Sequence, residues 1–159
     1  RSEGLLGKPP VMQRIFLDAN ILVSVLCNEY PRYSWCARVL SLCDDRRFEV
    51  YTSPLCMAIG AHFSKKKNGL RPSLKKMALL SEKLKMTDVG SEAVKRTVAN
   101  KKVLDFEDGL EYYSAELAGC TCIVTYDRND FHFGDLEVLN AEDYLAKYVL
   151  PLHRKGRRK

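Results

Sequence analysis

Five aspartates in this sequence stand where an α/β chain would gather them. Asp18 follows the apolar run RIFL at 14–17, Asp127 and Asp130 follow the run CTCIVT at 120–125, and Asp105 and Asp108 open the helical stretch that leads into that second run. Residues three apart share a helix face, so Asp105 and Asp108 would point the same way. A cluster offering only oxygen suits a hard divalent cation, Mg²⁺ or Mn²⁺, which keeps several waters and binds phosphate oxygens. The chemistry that follows is phosphodiester cleavage, in which the metal lowers the pKa of a water, orients it and neutralises the leaving oxygen. Taken singly, each acid has an ordinary role as a helix cap, a favourable charge at a helix start or a turn residue. Their joint occurrence at two strand ends and one helix start singles them out.

The elements that must position these residues alternate. Strand-like runs at 14–17, 48–52, 86–89, 120–125 and 137–140 are separated by helical spacing, first in Ile21, Leu22 and Val25 directly after Asp18 and then at 32–45, 73–85, 90–100, 106–118 and 141–148. Ser53 and Pro54 start a further helix as N-cap and first-turn proline, and the run KKKNGLRP at 65–72 breaks it. In 73–85 the apolar side is Leu74, Met77, Leu80 and Leu84; in 90–100 it is Ala93, Val94 and Val98. Strand–helix alternation predicts a parallel sheet wrapped by helices, with ligands beyond the carboxyl ends of the strands.

With 159 residues, 46% of them hydrophobic, the chain suffices for one domain, placed at 12–150. The formal charge of +6 is concentrated at the ends: the leader 1–11 carries a net +1 and HRKGRRK at 153–159 five positive charges, so the middle is near neutral. Charge alone therefore does not announce a nucleic-acid binder. The leader reads as a cloning remnant or mobile arm, and 151–159 as a basic, disordered tail. Cys27, Cys36, Cys43, Cys56, Cys120 and Cys122 show no zinc-ligand spacing and read as reduced core residues. With no signal peptide or long apolar run, the expectation is a soluble cytoplasmic protein without a membrane segment.

IFLDANILVSVL (15–26), TSPL (52–55), DFEDGLEYYSAELAGCTCIVT (105–125) and TYDRNDF (125–131) together resemble the PIN-domain family over about residues 13–148. They resemble in particular the toxin-like ribonucleases of bacterial type II toxin–antitoxin pairs. The resemblance implies a Rossmann-like three-layer sandwich with a central parallel sheet of four or five strands. It implies cleavage of single-stranded RNA with Mg²⁺ or Mn²⁺, Asp18, Asp108 and Asp127 being catalytic and Asn20, Asp105, Thr125 and Asp130 supporting. The metal set would be Asp18, Asp108, Asp127 and Asp130, with the choice between Asp127 and Asp130 as the post-strand ligand left open. It also implies a homodimer and a small antitoxin partner.

One departure bears on activity. Many active members carry a glutamate on the helix after the second strand, where this chain has Ile59, so a PIN-fold module that binds RNA or protein without cutting is the alternative. His62 on that helix is expected to be a partly buried structural residue. Lys65, Lys66 and Lys67 are candidates for contacting an RNA backbone, although lysines also favour a helix C-terminus. A haloacid dehalogenase-type phosphatase would need an acid where Asn20 stands, and a receiver domain an acidic pair at the first strand.

Overall fold

The computed structural model describes residues 12–156; the leader 1–11 and the tail residues 157–159 lie outside the described residues. Five strands, β1 (Gln13–Leu17), β2 (Phe48–Thr52), β3 (Lys85–Met86), β4 (Cys122–Val124) and β5 (Glu137–Leu139), pair in parallel in the order β3-β2-β1-β4-β5. Ile15, Phe16, Leu17, Ile123 and Val124 are fully buried, as consecutive residues are when both sheet faces are covered. From β1 the chain first builds outward to β2 and β3, then returns to add β4 and β5 on the other side. The boundary between β1 and β4 is therefore the switch point at which a crevice opens beyond the strand ends.

The helices are α1 (Ala19–Leu26), α2 (Tyr33–Leu40), α3 (Pro54–Asn68), α4 (Leu70–Lys83), α5 (Ser91–Ala99), α6 (Phe106–Leu117), α7 (Ala141–Tyr144) and α8 (Leu150–Gly156). Ser53 caps α3 through a hydrogen bond accepted from the Cys56 N–H at 2.9 Å, with Pro54 in the first turn as its missing donor allows. The final carbonyls of α1 are held from outside: Asn68 and Lys76 each donate to Leu26 O at 3.0 Å, and Lys67 donates to Cys27 O.

Several expectations about the elements need correction. The break placed at 65–72 narrows to Gly69, whose φ of 84° reverses the chain at one residue, so the three lysines stay helical. The strand at 86–89 is only Lys85–Met86, and it is exposed. Val94 and Val98 face outward and the buried side of α5 is Ala93 and Thr97. The reason is the close approach of α6: a Cβ on Gly109 would lie 2.4 Å from Thr97 Cγ2, so only small side chains fit. Leu74 is likewise exposed while Ser73 is buried. Residues 151–156, expected as disordered tail, form α8, continuous with a π-helical turn at Leu145–Val149 and anchored by Leu152 against the core.

Candidate active site

Asp18 and Thr125 are the first residues beyond β1 and β4, and the Asp18 N–H donates to Val124 O at 3.1 Å, extending the strand pairing by one step. Thr125 is wholly buried. Its hydroxyl donates to Asp18 Oδ2 at 2.8 Å and accepts from Asn20 Nδ2 and the Asp127 N–H, both at 3.0 Å. One donor and two acceptor positions exhaust a threonine hydroxyl, so the orientation of this side chain is fixed. Asn20 Nδ2 also donates to Asp127 Oδ2 at 3.1 Å, and its Oδ1 accepts from the Tyr126 N–H at 3.3 Å. Two helix-starting side chains thus clamp the end of β4 to the end of β1.

The third contribution comes from α6. Asp105 caps it, accepting from the N–H groups of Glu107 at 2.9 Å and Asp108 at 3.3 Å, which turns Asp108 toward the strand ends. Asp18, Asn20, Glu107, Asp108, Asp127 and Asp130 line one cleft of about 300 Å³. Asp105 does not line it; its carboxylate is occupied as the cap.

None of Asp18, Asp108, Asp127 and Asp130 has an ion-pair partner among the described residues. Partial burial and mutual repulsion show in the acidities of Asp18, Asp108 and Asp130. Desolvation, then the charges of Asp130, Asp105 and Asp18, push Asp108 up to about 7. Burial raises Asp18 against the hydrogen bonds from Thr125 and Ala19, and burial with the neighbouring Asp127 raises Asp130. Convergent carboxylates without a positive partner fit a hard divalent cation, whose charge would reverse all three shifts.

The sequence reading missed a second layer behind the cleft. Glu111 lies one turn beyond Asp108 on α6 and is only 2% exposed. Its carboxyl meets the Ser53 hydroxyl at 2.7 and 2.8 Å and accepts from the Cys56 thiol at 2.7 Å. Cys56 Sγ is also 3.8 Å from Asp18 Oδ1, and ligand atoms of Asp18, Cys56 and Glu111 all lie within 4.8 Å of one another. Desolvation raises Glu111 to about 7, and burial followed by the Glu111 and Asp18 charges drives the Cys56 thiol well up. The signal was present in the three-residue step from Asp108 to Glu111, which repeats the step from Asp105 to Asp108.

The remaining candidates are dispersed. Ile59, at the position where the resemblance called for a glutamate, forms part of the cleft wall. His62 is exposed rather than partly buried and does not line the cleft. Lys65 and Lys66 are exposed at the far end of α3, whereas Lys67 reaches back to the α1 carbonyl. Arg32 and Phe63, not singled out from the sequence, do line the cleft.

Known proteins share this arrangement of elements. The chain is 21% identical over 140 residues to ribonuclease VapC1 of Aquifex aeolicus, covering 86% of this chain and 96% of that protein. VapBC2 from Rickettsia felis, solved bound to a DNA fragment from the promoter, superposes with a TM-score of 0.63 at 14% identity, covering 80% of this chain and 98% of that one. VapC20 from Mycobacterium tuberculosis, a toxin that cleaves the sarcin–ricin loop, gives 0.60 at 17% identity, covering 78% and 98%. At these identities the structural likenesses establish the fold, a parallel five-stranded sheet with helices. The family profile described as PIN domain matches residues 14–129, a span running from β1 through Asp18 and Asp108 to Asp127, and the chain accordingly belongs to the PIN-domain family.

Proposed function

We propose that this chain is a divalent-metal-dependent endoribonuclease that cleaves single-stranded RNA, the toxin of a toxin–antitoxin pair. The observation that carries the proposal is the convergence of Asp18, Asp108, Asp127 and Asp130, from three separated segments, on one cleft without any ion-pair partner among the described residues. Asp18, Asp108 and Asp127 are assigned the catalytic role, Asp130 sharing the metal with them, and Asn20, Thr125 and Asp105 the supporting one. Mg²⁺ or Mn²⁺ bound there would supply an activated water and neutralise charge on the cleaved phosphate. The chain's own contribution is orientation. Thr125 holds the Asp18 carboxylate, Asn20 holds Asp127, and the Asp105 cap presents Asp108.

Relatives named as a ribonuclease and as a toxin support the substrate class and the toxin role. An apolar groove of about 450 Å³ between α1, α2 and α4, lined by Val25, Leu26, Leu40 and Leu79, offers a surface for an antitoxin or a second copy in a homodimer. Six free thiols, five of them buried, suit the cytoplasm. Among the described residues no helix is long and apolar enough to cross a membrane. Lys65 and Lys66 remain available to an RNA backbone outside the cleft.

The test is cleavage of mixed-sequence single-stranded RNA by the full chain with Mn²⁺ or Mg²⁺, against EDTA and an Asp18→Asn/Asp108→Asn double variant. Metal-dependent cutting should fall by at least about 100-fold in the variant. Ile59 favours one second reading, a module that binds RNA without cutting; a folded wild type inert on several RNAs, yet retaining them, would establish that reading instead.

A further inference from the structure

We propose that Arg32 and Phe63 are the residues that seat RNA in the acidic cleft, Arg32 holding a phosphate beside the one cleaved and Phe63 stacking on an adjoining unpaired base. This rests on the cleft being the RNA site of the proposed ribonuclease. The cleft needs such residues because its carboxylates, Glu29 and Glu107 among them, repel a polyanion, and a bound cation offsets only part of that charge.

Arg32 is the single basic residue in the cleft lining. Beside so many acids an arginine would be expected to pair with a carboxylate, yet among the described residues it forms no ion pair. Its guanidinium instead lies over the ring of Tyr126, 4.0 Å from the centroid. Tyr126 is itself held at both ends, its hydroxyl donating to Glu142 Oε1 at 2.9 Å and its N–H to Asn20 at 3.3 Å. A stacked guanidinium keeps its planar fork of N–H donors unspent, the geometry that matches two phosphate oxygens. Because Tyr126 precedes Asp127, the fork stands in fixed relation to the catalytic carboxylates.

Phe63 stands on α3, one turn beyond Ile59, and both residues line the cleft. The residue is 45% exposed, although the same helix buries Cys56, Gly60 and Ser64. Lys66 Nζ lies over its ring, 6.0 Å from the centre, which leaves the opposite face to a base and adds a positive charge nearby. An exposed aromatic ring in the same cleft as an arginine with free N–H donors is a stacking platform, and only a base free of its helical partner can reach it. Ile59 then acquires a role as apolar support for that base.

The experiment uses the full chain and a short fluorescein-labelled single-stranded RNA, read by anisotropy in Ca²⁺ and by cleavage kinetics in Mn²⁺. Phe63→Ala should weaken binding and raise KM by roughly 5- to 100-fold, and Arg32→Gln by roughly 10- to 100-fold, kcat changing less than about threefold. Phe63→Trp should restore binding, Arg32→Lys should restore it only in part, and Phe63→Ala should leave a duplex RNA unaffected. Variants that melt like the wild type yet keep its Kd and KM overturn the proposal while the ribonuclease reading stands. A wild type that binds but never cuts ends the ribonuclease reading, and loss of that binding in the two variants still supports the seating role. A wild type that neither binds nor cuts removes both.

Discussion

Replacing Glu111 by glutamine tests the second layer through stability rather than activity. Folding holds this carboxyl at about 7 instead of its ordinary 4.5, chiefly because it is desolvated. Between those two values the folded chain keeps a proton that the unfolded chain has released, so the Glu111 contribution to stability falls as pH rises through that window and is level above it. At about 1.4 kcal/mol per tenfold change in proton affinity, the full deficit is about 3 kcal/mol, most of it developing between about pH 5 and 8. Glutamine has no proton to lose. It keeps one acceptor oxygen and can donate one N–H to Ser53 Oγ, but its second N–H adds a buried donor that the protonated carboxyl lacks, so the variant should be the less stable of the two at pH 5. Chemical denaturation or thermal melting in EDTA at pH 5 and pH 8 should show the difference moving in the variant's favour by about 2–3 kcal/mol, or roughly 5–10 °C. Using EDTA keeps any cation from complicating the Asp108 and Asp18 contributions, which are common to both proteins. Parallel pH profiles for wild type and variant would refute the argument and mean that Glu111 is well solvated or charged in the folded chain.

Thr125→Val removes the donor to Asp18 and the acceptor for Asn20 and Asp127. It should lower cleavage, or Mn²⁺ affinity by calorimetry, about 10- to 100-fold without unfolding the chain. Ile59→Glu adds an acid to the cleft wall and should tighten Mn²⁺ binding at least about tenfold; unchanged binding would show that this position faces away from the cation. Gly134→Ala would bring a Cβ within 2.0 Å of Cζ of the Tyr112 ring, whose hydroxyl is fixed by the N–H groups of Asp135 and Leu136. Denaturant melts should show a loss of about 3 kcal/mol or more, since that ring cannot retreat.

The sequence was most legible where one short segment fixes both local structure and position. RIFL followed by Asp18, and Ser53-Pro54 after FEVYT, each contain a strand end and a helix cap, so β1, β2, α1 and α3 could be placed before any tertiary contact was known. The face of α5 could not. Val94 and Val98 are the more apolar residues, and only the approach of α6 over Gly109 makes Ala93 and Thr97 the buried pair. The same limit applies at the site. Four aspartates announce themselves by charge and by their places at element ends. Glu111 carries the spacing signal of a three-residue step from Asp108, but nothing in its own segment shows that the Ser53 and Cys56 side chains of a distant helix start enclose it. Arg32 and Tyr126, 94 positions apart by their numbers, give no local sign that they stack. Lys67 shows the converse: its tripeptide of lysines suggested an external ligand, whereas its ammonium closes the end of α1.

The Thr125 clamp also orders events in time. Asp18 leaves the ribosome before the hydroxyl that orients it, which follows 107 positions later. Until β4 has emerged and paired with β1, the aspartate has neither its hydrogen-bond partner nor Asp108 and Asp127 beside it. On the proposed ribonuclease reading, a nascent chain, or one truncated before β4, would carry Asp18 without an assembled cutting site.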